Sequence, residues 1–316
     1  MAKTLRSPKA ITGRVDMRKL IRDVQANDTV ITPRLNQYLL SHQDDPYPQW
    51  IADWVALRLA LKPRDRSASF SASAGGSCLR RQQLQFLGMP QTGLNDVRLQ
   101  NIFDDGSWRH LRWQAMLMDA GILFTGNDLD NPEALGAEHP MQWRSQRLRG
   151  TADGYGYVPD NHPVPHWRGK KYGFELKGMN GFMYQRLMGK DSKDIKDEHF
   201  AQVHNYFLME DFDLFVIIYE DKSTQAWHEW VIEPDEMELK RRRQELSVLN
   251  EGIDKQTLEP MLLSCKARRG EFDDCPFGGE GGSCVRTRDY PGLRKSTKTL
   301  AEERRPKKRI RKVQGR

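Results

Sequence analysis

No apolar stretch in the 316 residues approaches the roughly 18 needed to cross a bilayer, which argues against a helical membrane protein. Lys3, Arg6 and Lys9 lie near the start, but the apolar segment of about 7–15 residues that a secretory signal places behind such charges is missing. The expectation is a cytoplasmic protein. Cysteine is scarce, with four in the chain, too few for a disulfide scaffold of this size. There is no internal repeat and no GxxxxGK[ST] phosphate loop, which argues against a solenoid and against a built-in nucleotide-driven motor. What is present, 38% hydrophobic and 9% aromatic residues, suffices for one elaborated core with appendages.

Positive charge is plentiful but unevenly spread. The formal net charge is +7, yet residues 294–316 alone hold 11 Lys and Arg against Glu302 and Glu303, so residues 1–293 are slightly acidic. Such a tail has too little apolar surface to fold alone; it suits a polyanion such as DNA or RNA, or serves only solubility. Three regions follow. Residues 1–66 read as a polar, helical accessory region with helix-like spacing over 24–40 and 50–61, residues 67–293 as the core, and 294–316 as a basic, disordered tail.

Within the core, helical periodicity marks residues 78–87 and 105–120, the second with Leu111, Ala115 and Met118 on one side. Strand-like segments lie at 139–143, 147–158, 172–177, 213–219 and 226–232. A helix over 197–210 separates the third strand from the fourth, and another over 234–249 follows the fifth with a proline at its start. This order predicts an α/β fold with a mixed sheet flanked by helices.

The acid-x-Lys pattern occurs five times, and four of the five, at Asp191, Asp194, Glu220 and Glu238, read as solvated charge pairs in loops or helices. Glu175 differs, because Phe174-Glu175-Leu176-Lys177-Gly178 has apolar flanks and a strand-like setting. Residues i and i+2 of a strand share a face, so Glu175 and Lys177 point one way and Phe174 and Leu176 the other. Asp153, in Gly150-Thr151-Ala152-Asp153-Gly154, reaches the same point if both acids sit at adjacent strand ends. Buried acids need compensation, which a divalent cation supplies; hard oxygen ligands favour Mg²⁺ or Mn²⁺, and phosphodiester hydrolysis is the chemistry this permits. His110 in Gly106-Ser107-Trp108-Arg109-His110 can add a ligand, and Gln202 and Tyr206 share one helical face.

Taken in order, Gly-x-x-x-His (106–110), Gly-x-x-Asp (150–153), Glu-x-Lys (175–177) and Gln-x-x-x-Tyr (202–206) resemble the RecB-like branch of the PD-(D/E)XK nuclease superfamily over roughly residues 70–290. The resemblance implies a restriction-endonuclease-like α/β core with an N-terminal helical extension. It implies His110, Asp153, Glu175 and the Leu176 carbonyl as metal ligands and Lys177 as the catalytic lysine, while Gln202 and Tyr206 line the site and contact DNA. The activity implied is a Mg²⁺- or Mn²⁺-dependent DNA exonuclease acting at ends or single strands in recombination, repair or phage DNA metabolism. Its partners would be DNA and a single-strand-binding or recombination protein, and its place the cytoplasm of a bacterium or phage-infected host.

Cys78 precedes these motifs and Cys265, Cys275 and Cys284 follow them, three of the four close to a glycine-rich stretch at 278–282. Four thiolates match one [4Fe–4S] cluster and equally a structural Zn²⁺ site. One cysteine before and three after resembles the iron–sulfur nucleases of the same branch, the CRISPR-associated and AddB-type enzymes among them, and implies a C-terminal cysteine-ligated metal region. Two other functional readings stay open: a structure-specific endonuclease using the same site, and a non-catalytic nucleic-acid-binding scaffold with a Cys₄ centre. Trp108, Trp113, Tyr155, Tyr157, Tyr184 and Arg186 are candidates to contact nucleic acid, or else core residues.

Overall fold

The computed structural model describes residues 29–42, 45–60, 68–91, 97–126, 138–187, 195–260, 265, 275–278 and 282–286. In chain order they form helices α1 (Thr32–Ser41) and α2 (Gln49–Ala60), strand β1 (Phe70–Ser71), helices α3 (Leu79–Phe86) and α4 (Val97–Asp119), and strands β2 (His139–Trp143), β3 (Leu148–Ala152), β4 (Gly154–Tyr157) and β5 (Lys171–Met179). Helices α5 (Gly181–Leu187) and α6 (Asp197–Met209), strands β6 (Leu214–Asp221) and β7 (Trp227–Ile232), and helices α7 (Glu236–Asp254) and α8 (Ser283–Arg286) complete the order.

The run Leu214-Phe215-Val216-Ile217-Ile218-Tyr219 is apolar on both faces, as a strand between two covered layers must be, and every residue of β6 is buried. It pairs in parallel with β5 and antiparallel with β7, and β5 pairs antiparallel with β4, giving the mixed sheet β4-β5-β6-β7. Alternation then sorts the core. Tyr172, Phe174, Leu176, Leu214, Val216 and Ile218 face α4, meeting Leu111, Trp113 and Leu117, while Phe215, Ile217 and Tyr219 face α6 and its Val203 and Tyr206. The expected mixed α/β architecture, sheets flanked by helices, is present.

Residues 147–158 were expected to form one strand, but the chain breaks at Asp153 and its halves join two sheets. β3 pairs with β2 and with the short β1 in a three-stranded sheet, and β4 begins the four-stranded one. Two tertiary hydrogen bonds take its backbone groups: the Asp153 carbonyl accepts from the buried Gln114 side chain at 2.7 Å, while its amide donates to the Phe174 carbonyl at 3.0 Å. Helix α4 starts at Val97, two turns earlier than the periodicity of 105–120 marks. β1 and α5 carry no alternation or periodicity that announces them.

Within the 24–40 segment the described residues form a helix from Thr32, with proline in its first turn; residues 24–28 lie outside the described set, as do residues 287–316 and therefore the basic tail. Glu229 on β7 holds the start of α1. Its carboxylate accepts from the amides of Val30 (2.5 Å), Ile31 (3.0 Å) and Thr32 (2.8 Å) and from the Thr32 hydroxyl at 2.8 Å. Those amides are the orphan donors of a helix N-terminus, and an anion there also opposes the positive end of the helix dipole. Leu35, Ile51 and Trp54 then pack into the cluster around α4.

At the other end the chain returns to α3. Arg80, 2% exposed, donates to the Glu259 carbonyl at 2.8 Å, and Gln83 accepts from the Glu259 amide at 2.7 Å. No helix among the described residues is long and apolar enough to cross a membrane.

Candidate active site

The break at Asp153 puts a carboxylate where the sheet opens. Pairing of β4 with β5 ends at Gly154 opposite Phe174, so beyond Phe174 that edge of β5 has no strand beside it among the described residues. Asp153 takes the vacant position: its Oδ2 accepts from the Leu176 amide at 2.7 Å, and its Oδ1 lies 2.9 Å from His110 Nδ1. The amide and carbonyl of one strand residue point to the same side, so the Leu176 carbonyl also faces this opening.

Glu175 and Lys177 project from the α6 side of β5. Lys177 Nζ donates to Glu175 Oε1 at 2.7 Å and to Gln202 Oε1 at 3.0 Å. Gln202 Nε2 is 2.9 Å from Glu175 Oε1 and 2.7 Å from the Tyr206 hydroxyl. That hydroxyl lies 2.9 Å from the Thr151 carbonyl and 3.3 Å from Glu175 Oε2. The Tyr206 ring passes so close to Gly150 that a β-carbon there would sit 2.7 Å from it, which gives the first glycine of Gly150-Thr151-Ala152-Asp153 a steric reason. Asp153 and Glu175 are 4% and 5% exposed; His110 and Lys177, the partly exposed members, form the open side.

Burial pushes the Glu175 carboxyl up, and Lys177 counters this only in part because the Asp153 charge pushes the same way. For Asp153, burial is outweighed by His110, the Leu176 amide and Lys177, which hold it below the usual carboxyl range. His110 is correspondingly raised: burial opposes its charge, and Asp153 more than compensates. Burial, then the neighbouring Glu175 charge, pushes the Tyr206 hydroxyl well up.

Seven residues singled out from the sequence therefore fall into two adjacent hydrogen-bonded groups, His110–Asp153–Leu176 and Glu175–Lys177–Gln202–Tyr206, near enough for the Asp153 and Glu175 charges to act on each other. Two carboxylates, an imidazole and an unpaired strand-edge carbonyl are a donor set that suits a hard divalent cation, and the mutual repulsion of the two acids is what such an ion relieves. In this arrangement the side chains are turned to protein partners; among the described residues no three His, Cys, Asp or Glu side chains form a ready-made metal cage. Gln114 was missed. It lies one turn beyond His110 on α4, and that spacing is the signal that could have found it.

The other expectations divide. Trp113 and Tyr184 are 1% and 3% exposed and belong to the core, Trp113 edge-on to Trp227. Tyr155 is half-buried against His139. Tyr157 pairs with Lys171, at the far end of β5 from Lys177. Arg186 lies over the exposed Phe182 ring. Glu220, read from sequence as one of the solvated pairs, is fully buried at the end of β6, where Arg109 (3.1 Å) and Arg112 hold it.

None of the four cysteines is in a disulfide. The returning C-terminal segment brings Cys275 and Cys284 into a small apolar cluster with Leu84, Met89 and Phe277, beside the helix that Cys78 precedes. Burial pushes the Cys284 thiol up to about 11, and Cys265 and Cys275 are near enough to push it the same way. The described residues do not assemble the four-thiolate centre anticipated as an iron–sulfur cluster or a zinc site.

No protein-family model matches the chain, and no curated protein matches it in sequence. Among solved structures, it is similar to LHK-Exo in complex with dAMP, at 13% identity and a TM-score of 0.41 over 64% of this chain and 92% of that one. An alkaline exonuclease, LHK-Exo from Laribacter hongkongensis, matches at 13% identity and a TM-score of 0.39 over the same shares, 64% and 92%. SSO0001 matches at 15% and 0.34 over 63% of this chain and 84% of its own.

Proposed function

We propose that this chain is a divalent-cation-dependent DNA nuclease, with exonucleolytic removal from ends or single strands as its activity. One observation carries the reading: the buried Asp153 carboxylate, at the break between β3 and β4, accepts from the Leu176 amide, and the next residue back along β5, the buried Glu175, is bonded to Lys177, whose side chain is partly open to solvent. Here the acids are mutually repulsive and grouped at a sheet edge, the arrangement expected where a cation and a phosphate are to be held.

Asp153, Glu175 and the Leu176 carbonyl would hold Mg²⁺ or Mn²⁺, with His110 as a further donor. A bound cation supplies Lewis-acid polarisation of the phosphate. The chain's own residues do the rest. Lys177 Nζ donates to the phosphate oxygens as water attacks phosphorus and the bond to the departing sugar oxygen breaks, where added negative charge most needs a donor. Gln202 keeps Lys177 and Glu175 in fixed relation, and Tyr206 ties that group to the Thr151 carbonyl.

End-labelled linear DNA and closed circular DNA, incubated in parallel with Mn²⁺ and with EDTA, test the reading. Loss of the linear substrate alone, only with Mn²⁺, is the expected result. Nicking of the circle would favour an endonuclease with the same site, and no cleavage of either would favour the non-catalytic scaffold.

A further inference from the structure

The sheet-facing stripe of α4 does not stop where the sheet does. Leu117 and Gln114 on it are fully buried, and His110 meets Asp153. The same stripe continues at helical spacing to Gly106, one turn before His110, and Phe103, two turns before it. Ion pairs of Arg109 with Glu220 (3.1 Å) and of Asp105 with Lys222 (2.9 Å) pin the helix to the C-terminal end of β6, so its first turns run out past the sheet. There the stripe meets no sheet residue among those described. The Phe103 ring is 54% exposed, and among the described residues no aromatic ring contact involves it. A β-carbon at Gly106 would meet no atom within 4 Å.

Glycine inside a helix is the least favoured residue after proline, and close packing is the usual reason to keep one. Gly106 has no such neighbour among the described residues. The open space beside it adjoins the site, and an exposed flat ring lies one turn farther along the same face. A sugar–phosphate backbone fits against a surface lacking a β-carbon, and an unpaired base stacks on a ring of any aromatic residue. We propose that the Phe103–Gly106 face of α4 seats the nucleotide next to the scissile phosphate, its backbone crossing Gly106 and its unpaired base stacked on Phe103. This rests on the nuclease reading and narrows it to a single-stranded or frayed terminus, because a base inside a duplex cannot stack on the ring.

Binding of a fluorescent oligothymidylate in EDTA, where nothing is cleaved, tests this apart from catalysis. Phe103→Ala should weaken affinity roughly tenfold and Phe103→Trp restore it, with a smaller change on blunt duplex. Gly106→Ala should raise the melting temperature by about 2 °C, as alanine does in a helix with room for it, while raising KM for single strands. Trp108→Ala, turned roughly 160° from His110 around the same helix, is the control and should bind like the wild type. Unchanged affinity in both Phe103→Ala and Gly106→Ala would overturn the proposal, and so would an equal loss in Trp108→Ala. An altered oligomeric state of Phe103→Ala with unchanged DNA affinity would also overturn it, assigning the face to contacts between copies. Failure of the wild type to cleave with Mn²⁺ sinks the nuclease reading instead, whatever these affinities are.

Discussion

Lys177 sits between an acid it neutralises and an amide that orients it, and this double anchoring, 2.7 Å to Glu175 and 3.0 Å to Gln202, leaves its ammonium one open direction. A residue so placed contributes mostly to the transition state. Lys177→Met should therefore lower kcat at least roughly 100-fold with KM and DNA affinity nearly unchanged, since phosphate contacts elsewhere carry binding. Steady-state kinetics beside a binding isotherm checks this; a loss in KM alone would make Lys177 a binding residue. At this scale the sequence was informative because two-residue strand alternation and four-residue helix spacing put Glu175 with Lys177 and Gln202 with Tyr206 without any tertiary knowledge. It was uninformative for Glu220, whose partners Arg109 and Arg112 come from a helix more than a hundred positions away.

At the level of elements, one carboxylate gathers the amides at the start of α1. Glu229 is pushed up by burial even though the amides of Ile31, Val30 and Thr32 favour its charge. Glu229→Ala leaves three buried amides without an acceptor, a cost on the order of 3 kcal/mol, and should make residues 29–60 the first region cut in limited proteolysis. Proteolysis that starts elsewhere at an unchanged rate would contradict it. A second fastening joins β2 to the turn after α6, where Glu210 meets His139 at 2.6 Å and Lys171. Burial would raise the Glu210 carboxyl, but these two partners hold it below its ordinary value. Its stabilising effect is therefore present above the ordinary carboxyl value of about 4.3 and is lost as pH falls toward the depressed one. The stability gap between the wild type and Glu210→Gln should shrink as pH falls below about 4.3; a gap that widens on acidification would have the sign wrong.

Elements with strong periodicity, such as β6 and α6, could be located from sequence to within a residue or two. The break at Asp153 could not, because Gln114 and Phe174, the groups that take its carbonyl and amide, are distant in sequence. β1, two residues long, has too few positions for alternation to register.

For the molecule as a whole, the closing contact is the return of the C-terminal segment to α3. Arg80 joins Glu259 and, at 3.4 Å, the Cys284 carbonyl, so residues more than 170 positions apart are held by one buried guanidinium. Arg80→Met should cost about 2–3 kcal/mol and expose the chain beyond residue 260 to protease before the sheet unfolds. A cooperative loss of both regions together would show that the segment is integral to the core.

Whether Asp153 and Glu175 share one divalent ion is measured most directly by Mn²⁺ titration followed by electron paramagnetic resonance, with the wild type beside Asp153→Asn and Glu175→Gln. The account predicts one bound Mn²⁺ per chain in the wild type, lost or weakened by at least roughly tenfold in each variant without unfolding. Equal Mn²⁺ binding by all three proteins, or none by the folded wild type, would contradict it.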